Sequence, residues 1–167
     1  DTSVFVDAAL EQQRYNGSIY SLPISVNVFA LYYDKDLLDK AGVTELPKTL
    51  EELMEISEQT TIEEGGAIKQ LGSPFVASNY WPSVFTYAFG DNFGTADNLK
   101  PDNEGFKKAL GFMESQVNKF GKDAMGNFIT SGTANLNTPQ DPFLNGTQVF
   151  RIDGPWFYKM SKDAGIN

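Results

Sequence analysis

Residues 7–17, "DAALEQQRYNG", mix apolar and polar positions in a way that predicts a short helix, with Asp7 as its N-cap and Gly17 as its stop. The pattern changes over 18–36, "SIYSLPISVNVFALYYDKD". Ile19, Leu22, Val26, Val28, Phe29, Leu31, Tyr32 and Tyr33 make this stretch β-rich, and Pro23 divides it into two strand segments. The second segment is apolar almost throughout, the pattern of a strand covered on both faces. "DKDLLDKAG" then reads as a short helix ending at Gly42.

Residues 46–66, "LPKTLEELMEISEQTTIEEGG", carry the clearest helical signal. Thr49 and Glu52 have capping-box spacing, and Leu50, Leu53, Met54 and Ile56 recur on one face. "LGSPFVAS" predicts a short strand, and "NYWPSVFTYAFG" an aromatic helix that tolerates Pro82 in its first turn. "DNFGTADNLKPDNEG" is rich in turn formers. In "GFKKALGFMESQVNKFG", Phe106, Leu110, Met113 and Val117 are spaced for one buried stripe. A second polar loop is expected over 121–141, then a helical turn at "PFLNG", a strand at "TQVFRI" and a last helix from "PWFYKMSKDAG". Alternating helices and strands point to α/β layering around a small sheet.

Composition removes several kinds of chemistry. The 167 residues suffice for one domain with its own core, and the net charge of −9 argues against a nucleic-acid partner, which needs clustered Lys and Arg. There is no cysteine, hence no disulfide framework and no thiolate site. There is no histidine either, which excludes Ser-His-Asp and Cys-His nucleophile pairs and the usual zinc sites. No metal or other cofactor is expected. No apolar run approaches the ~18 residues of a membrane-spanning helix.

The candidate chemistry is that of binding. One of only two tryptophans, Trp156, follows Gly154-Pro155 at the mouth of a helix. It reads either as a core anchor between helix and sheet or as a flat apolar platform for the C–H face of a pyranose. Ser78, Asn79 and Tyr80 fall between a strand end and a helix, where α/β proteins usually bind ligands, though Ser78 and Asn79 fit a capping role as well. Ser25 and Asn27 follow Pro23 and either face a cleft or line a sheet edge. Asp153 either grips sugar hydroxyls or caps the helix opened by Pro155, the cap being the preferred reading. Asp91, Asn92 and residues 135–140 lie on loops that either reach a long ligand or are simply solvated, the solvated loop being the preferred reading. Tyr32 and Tyr33 alternate across a strand, so they do not share a metal, and core packing is expected of them.

The order of the motifs resembles that of the extracellular solute-binding proteins of bacterial ABC importers, the family that includes maltose-binding protein. Its first pattern is met by Gly17, Tyr20 and Pro23, then by Tyr33-Asp34-Lys35-Asp36, Ala41-Gly42, and Pro47, Thr49, Glu51 and Glu52. Asp34 stands where Asn is usual. The second is met by Phe143, Gly146 and Gly154-Pro155-Trp156, with Phe150 where Met is common.

The resemblance implies an α/β chain forming one lobe of a two-lobed, periplasmic-binding-protein-like (type II) fold. Residues 1–24 would be the end of the first lobe and a crossover strand, and 25–167 an incomplete second lobe. It implies a substrate-binding component that holds a sugar, an oligosaccharide by preference, between the lobes. The protein would then be no enzyme, and would hand its ligand to the membrane subunits of an ABC transporter from an extracytoplasmic position, as a lipoprotein or in the periplasm. It also gives Trp156 the stacking position. The competing readings are a glycoside-active enzyme and a binding protein for a non-sugar solute. The enzyme needs two carboxylates flanking the scissile bond, and beside Asp153 no second acid is evident.

Overall fold

The computed structural model describes residues 2–76, 81–95 and 97–167. Helix α1 (Asp7–Glu11) has Val6, not Asp7, at its N-cap position and no side-chain cap, and is followed by a tight hairpin, β1 (Arg14–Tyr15) against β2 (Ser18–Ile19). The helix expected to run to Gly17 therefore stops early. Asn16 and Gly17 both take positive φ, 47° and 77°, the geometry that makes Asn-Gly a hairpin turn.

Strand β3 (Ala30–Tyr33) is shorter than its apolar run, and Val26, Val28 and Phe29 before it are exposed. Two-sided burial was expected here. Instead, β3 has one partner among the described residues, the last strand of the chain. Helix α2 (Lys35–Lys40) begins at Asp34, whose Oδ1 accepts the Leu37 N–H at 3.0 Å. The Asp at this position thus performs the capping that an Asn would perform.

Helix α3 (Leu50–Thr60) starts with the expected capping residues: Thr49 Oγ1 accepts the Glu52 N–H at 3.1 Å. The Glu52 carboxylate reaches back one residue further than in the usual box, to the Lys48 N–H at 2.6 Å. The helix does not continue to Gly66. A hairpin of β4 (Ile62–Glu64) and β5 (Ala67–Gln70) turns at Gly65-Gly66. The strand expected over 71–78 reduces, within the described residues, to one parallel bridge between Leu71 and Gln148.

Helix α4 (Pro82–Ala88) has proline in its first turn, and the loop after it folds into a small hairpin, β6 (Gly94–Thr95) and β7 (Asn98–Leu99). Helix α5 (Glu104–Phe120) buries Gly105, Ala109, Gln116 and Phe120, whereas Leu110 of the expected stripe is 45% exposed. The buried face is offset by about one residue from the apolar one, because the small residues Gly105 and Ala109 let α4 approach. Helix α6 (Lys122–Ala134) replaces the polar loop expected there. Strand β8 (Phe150–Asp153) pairs antiparallel with β3, from Ala30 opposite Asp153 to Tyr33 opposite Phe150, and helix α7 (Trp156–Asp163) follows. No helix of the described residues is long and apolar enough to cross a membrane.

The main core joins Leu37, Leu38, Leu53, Met54, Phe75, Phe85, Ala109, Val149 and Phe150. Segment 72–76 is irregular but held on both sides. Ser73 donates its N–H to Ser57 Oγ at 2.9 Å, and Gln116 accepts the Phe75 N–H at 2.9 Å while its amide donates to the Ser73 carbonyl.

The start of α5 gives a pH-dependent prediction. Asp91 accepts the N–H groups of Gly105 at 3.0 Å and Asn92 at 2.9 Å, and these bonds, Gly105 first, hold its carboxyl below the ordinary aspartate range. A depressed folded-state pKa gives stability that is present above the unfolded value, about 3.9, and is lost as pH falls through the folded one. Wild type is therefore expected to exceed Asp91→Asn in urea midpoint at pH 7, with the gap closing at acid pH. A gap that stays constant down to pH 3 is the result that contradicts this.

Candidate functional site

The C-terminal end of β8 and the start of β3 meet at one edge of the sheet, and the aromatic residues there have divided roles. Phe157 is fully buried. Its ring meets Tyr32 edge-on at 5.3 Å and Phe143 at 5.4 Å, and the Arg151 guanidinium lies over it at 4.0 Å. Trp156, one residue earlier, is by contrast 49% exposed. The core position that composition left open for Trp156 is filled by Phe157.

The indole is seated on its own turn. A Cβ placed on Gly154 would fall 2.3, 2.4 and 2.5 Å from Cη2, Cζ3 and Cζ2 of Trp156. Near-equal distances to three consecutive ring atoms mean that the six-membered ring covers Gly154 with its face, so a side chain at 154 would displace it. Tyr32 Oη donates to the Gly154 carbonyl at 2.9 Å and fixes that turn from below. Phe29, 48% exposed, stands at 85° to the indole with centroids 6.1 Å apart. Continuing the β3–β8 register by one step puts Phe29 opposite Gly154, which accounts for the contact.

Asp153 is buried and both of its oxygens are engaged. Oδ1 accepts the Gly154 N–H at 2.7 Å; Oδ2 accepts Arg151 Nε at 2.7 Å and pairs with Nη2 at 2.6 Å. Arg151 Nη1 reaches Asp141 Oδ2 at 2.7 Å, and Asp141 in turn accepts the N–H groups of Phe143 and Asn137 at 3.0 and 2.9 Å. The preferred capping role for Asp153 is not what the structure has: α7 carries no side-chain cap, and the carboxylate is drawn instead to Arg151 two residues back on the strand. This buried Asp-Arg-Asp group ties the 137–143 loop to the turn under Trp156. The sequence reading missed it, although the Arg151/Asp153 spacing places both side chains on one face of a strand.

Ser25 and Asn27 are exposed and line one groove of about 470 Å³ together with Gln12, Gln13 and Pro23. Asn27 lies two residues before Phe29 in the chain, but neither Phe29 nor Trp156 lines this groove. Ser78, Asn79 and Tyr80 lie outside the described residues; Trp81, next to them, is exposed at the N-cap of α4. In the 135–140 loop, Asn135 donates to the Ser131 carbonyl and Thr138 to the Asn135 carbonyl, both at 2.8 Å, so these polar groups make local turns. Among the described residues no three His, Cys, Asp or Glu side chains converge as a metal site requires.

A family model described as bacterial extracellular solute-binding protein matches residues 1–167. The chain is 29% identical over 169 residues to the galactooligosaccharide-binding protein of Bacillus subtilis, covering 99% of this chain and 38% of that protein. It is 30% identical over 159 residues to a maltooligosaccharide ABC transporter solute-binding lipoprotein of Streptococcus pneumoniae, covering 91% and 35%. Its backbone matches the solved structure of CpMnBP1 with mannotriose bound at a TM-score of 0.85 and 31% identity, over 100% of this chain and 44% of that one. The chain thus spans less than half the length of each of these proteins.

Proposed function

We propose, from the premise that this chain belongs to the bacterial extracellular solute-binding proteins, that it is part of a receptor that captures a saccharide for an ABC importer. The fold is that of the MalE-like, type II binding proteins. In this reading residues 25–167 form most of the second lobe, residues 1–24 lead in from the first, and the ligand lies between the two. The names of the relatives support an oligosaccharide as the ligand, and the ABC transporter lipoprotein among them supports an extracytoplasmic location and membrane subunits as partners.

One observation carries the reading: an indole held flat on a glycine and still 49% exposed. Such a surface suits the C–H face of a pyranose, and its rigidity keeps the ordering cost of binding low. Asn27 and Ser25, with Ser78, Asn79 and Tyr80, supply hydrogen bonds to the hydroxyls in this scheme. Asp153 acts from beneath, through the Gly154 N–H. Contacts made by both lobes only when closed would shift the population to the closed state.

The enzyme reading finds little support at this edge. The two carboxylates placed here, Asp141 and Asp153, are buried and tied to one arginine, whereas a glycosidase needs two that flank the scissile bond. The solute-binding character of the family weighs the same way.

Calorimetric titration of the full-length polypeptide with maltotriose, mannotriose and a galactooligosaccharide tests the proposal. Trp156→Ala and Gly154→Ala are each expected to weaken binding at least about tenfold, the first by removing the platform and the second by lifting it off its seat. Undiminished binding by Trp156→Ala would place the platform elsewhere. Absence of binding to every saccharide would overturn the solute class, and release of reducing ends would restore the enzyme.

A further inference from the structure

We infer that Phe29 is a second wall of the saccharide site, forming with Trp156 a right-angled aromatic corner that selects hexopyranoses through their C5–C6 edge. This rests on the saccharide reading above and adds a specificity determinant to it.

The sequence pattern gave Phe29 to a strand buried on both faces, yet the ring is 48% exposed and its aromatic neighbour is the indole, at 85° and 6.1 Å. Nor is its position a fraying accident. It lies one step beyond the Ala30–Asp153 pair, where continuing the register would set it opposite the glycine on which the indole rests. The two rings are in direct contact, and the Tyr32 hydrogen bond to Gly154 holds the turn that carries the indole.

A sugar stacked on the indole presents its rim to the perpendicular ring. Most of that rim is hydroxyl, and pressing a hydroxyl against a phenyl ring removes water without returning a hydrogen bond. The least polar rim group of a hexopyranose is the C6 methylene, which meets a phenyl ring without loss when its hydroxyl is rotated away toward water. The corner thus favours seating the ring with C6 toward Phe29, leaving the other hydroxyls to polar partners or to water. A pentopyranose lacks C6 and gains little from the wall.

The test uses the full-length protein, with mannotriose and maltotriose as hexose probes and xylotriose as the pentose probe. Phe29→Ala is expected to weaken the hexose trisaccharide that binds best by about five- to tenfold, while xylotriose changes by less than about twofold. Phe29→Leu, which keeps an apolar wall, is expected to recover most of the loss. Equal thermal midpoints for wild type and both variants exclude a folding artefact. Unchanged or tighter hexose binding by Phe29→Ala, failure of Phe29→Leu to recover it, or an equal loss for xylotriose overturns the inference. Where wild type shows no xylotriose binding, the hexose loss and its recovery by leucine decide the matter. Should Trp156→Ala abolish binding while Phe29→Ala leaves it intact, only this inference falls. If no saccharide binds wild type, the saccharide reading falls with it.

Discussion

Arg151→Met is expected to destabilise the protein by about 3–5 kcal/mol, because it leaves two buried carboxylates facing each other without their cation. The side chains of Arg151, Asp141 and Asp153 are 5%, 0% and 10% exposed, so water does not readily replace the guanidinium. Methionine matches the stem of arginine but offers no donor. The cost comes from the stranded charges and not from lost volume. Two controls follow from that. Arg151→Met combined with Asp141→Asn and Asp153→Asn removes the charges with the cation, and is expected to recover most of the loss. Arg151→Lys keeps one charge but cannot make three directed contacts, and is expected to fall between. Urea denaturation monitored by far-UV circular dichroism checks all three. A loss below about 1 kcal/mol for Arg151→Met would mean that the pocket relaxes enough to hydrate both acids.

The same substitution bears on the site. Arg151 lies 4.0 Å over the Phe157 ring and holds Asp153, whose other oxygen holds the Gly154 N–H. The indole rests on that glycine. A buried ion group is a poor source of net stability, but this one fixes a strand end, a loop and the first turn of α7 relative to one another.

Much of the fold is legible because its signals are local. Thr49 and Glu52 mark the start of α3, Pro82 opens α4, and the apolar residues of "TQVFRI" end in β8. Where the reading fails, the deciding interaction is distant. Helix α6 looks like a loop because it contains Gly126 and Gly132. Yet Met125, Phe128, Ile129 and Gly132 share a helical face, and Gly132 is small because a Cβ there would lie 2.9 Å from Pro142 Cγ. A residue that weakens the helix locally is required by a neighbour in space. The α5 stripe was misplaced for a related reason, since Gly105 and Ala109 are invisible to a hydrophobicity pattern although they sit at the contact. At Asn16-Gly17 the local signal is ambiguous, since Gly17 fits a helix stop as well as the hairpin turn that forms. In the site, the Gly-Pro-Trp turn announced Trp156. Phe29 did not stand out, because in an apolar run nothing in the sequence says which rings lack a cover.

Phe75→Ala is expected to cost about 3–5 kcal/mol, as much as the arginine substitution and for an unrelated reason. The Phe75 ring is fully buried against Phe85 at 5.9 Å and Phe112 at 5.0 Å, and those two rings meet each other at 5.0 Å. Removing this ring opens a cavity between α4, α5 and segment 72–76. The segment itself stays tethered, because Gln116 accepts the Phe75 N–H from the backbone and not from the side chain. Phe75→Leu fills most of the space and is expected to cost less than about 2 kcal/mol. Set beside Trp156→Ala, this substitution separates two aromatic roles in one protein. Phe75→Ala lowers the urea midpoint while the folded protein keeps its saccharide affinity. Trp156→Ala, truncating a half-exposed ring, costs less than about 1.5 kcal/mol of stability but loses affinity. If Trp156→Ala instead proved the more destabilising of the two, the indole would be a structural anchor, and its exposure would no longer argue for a ligand.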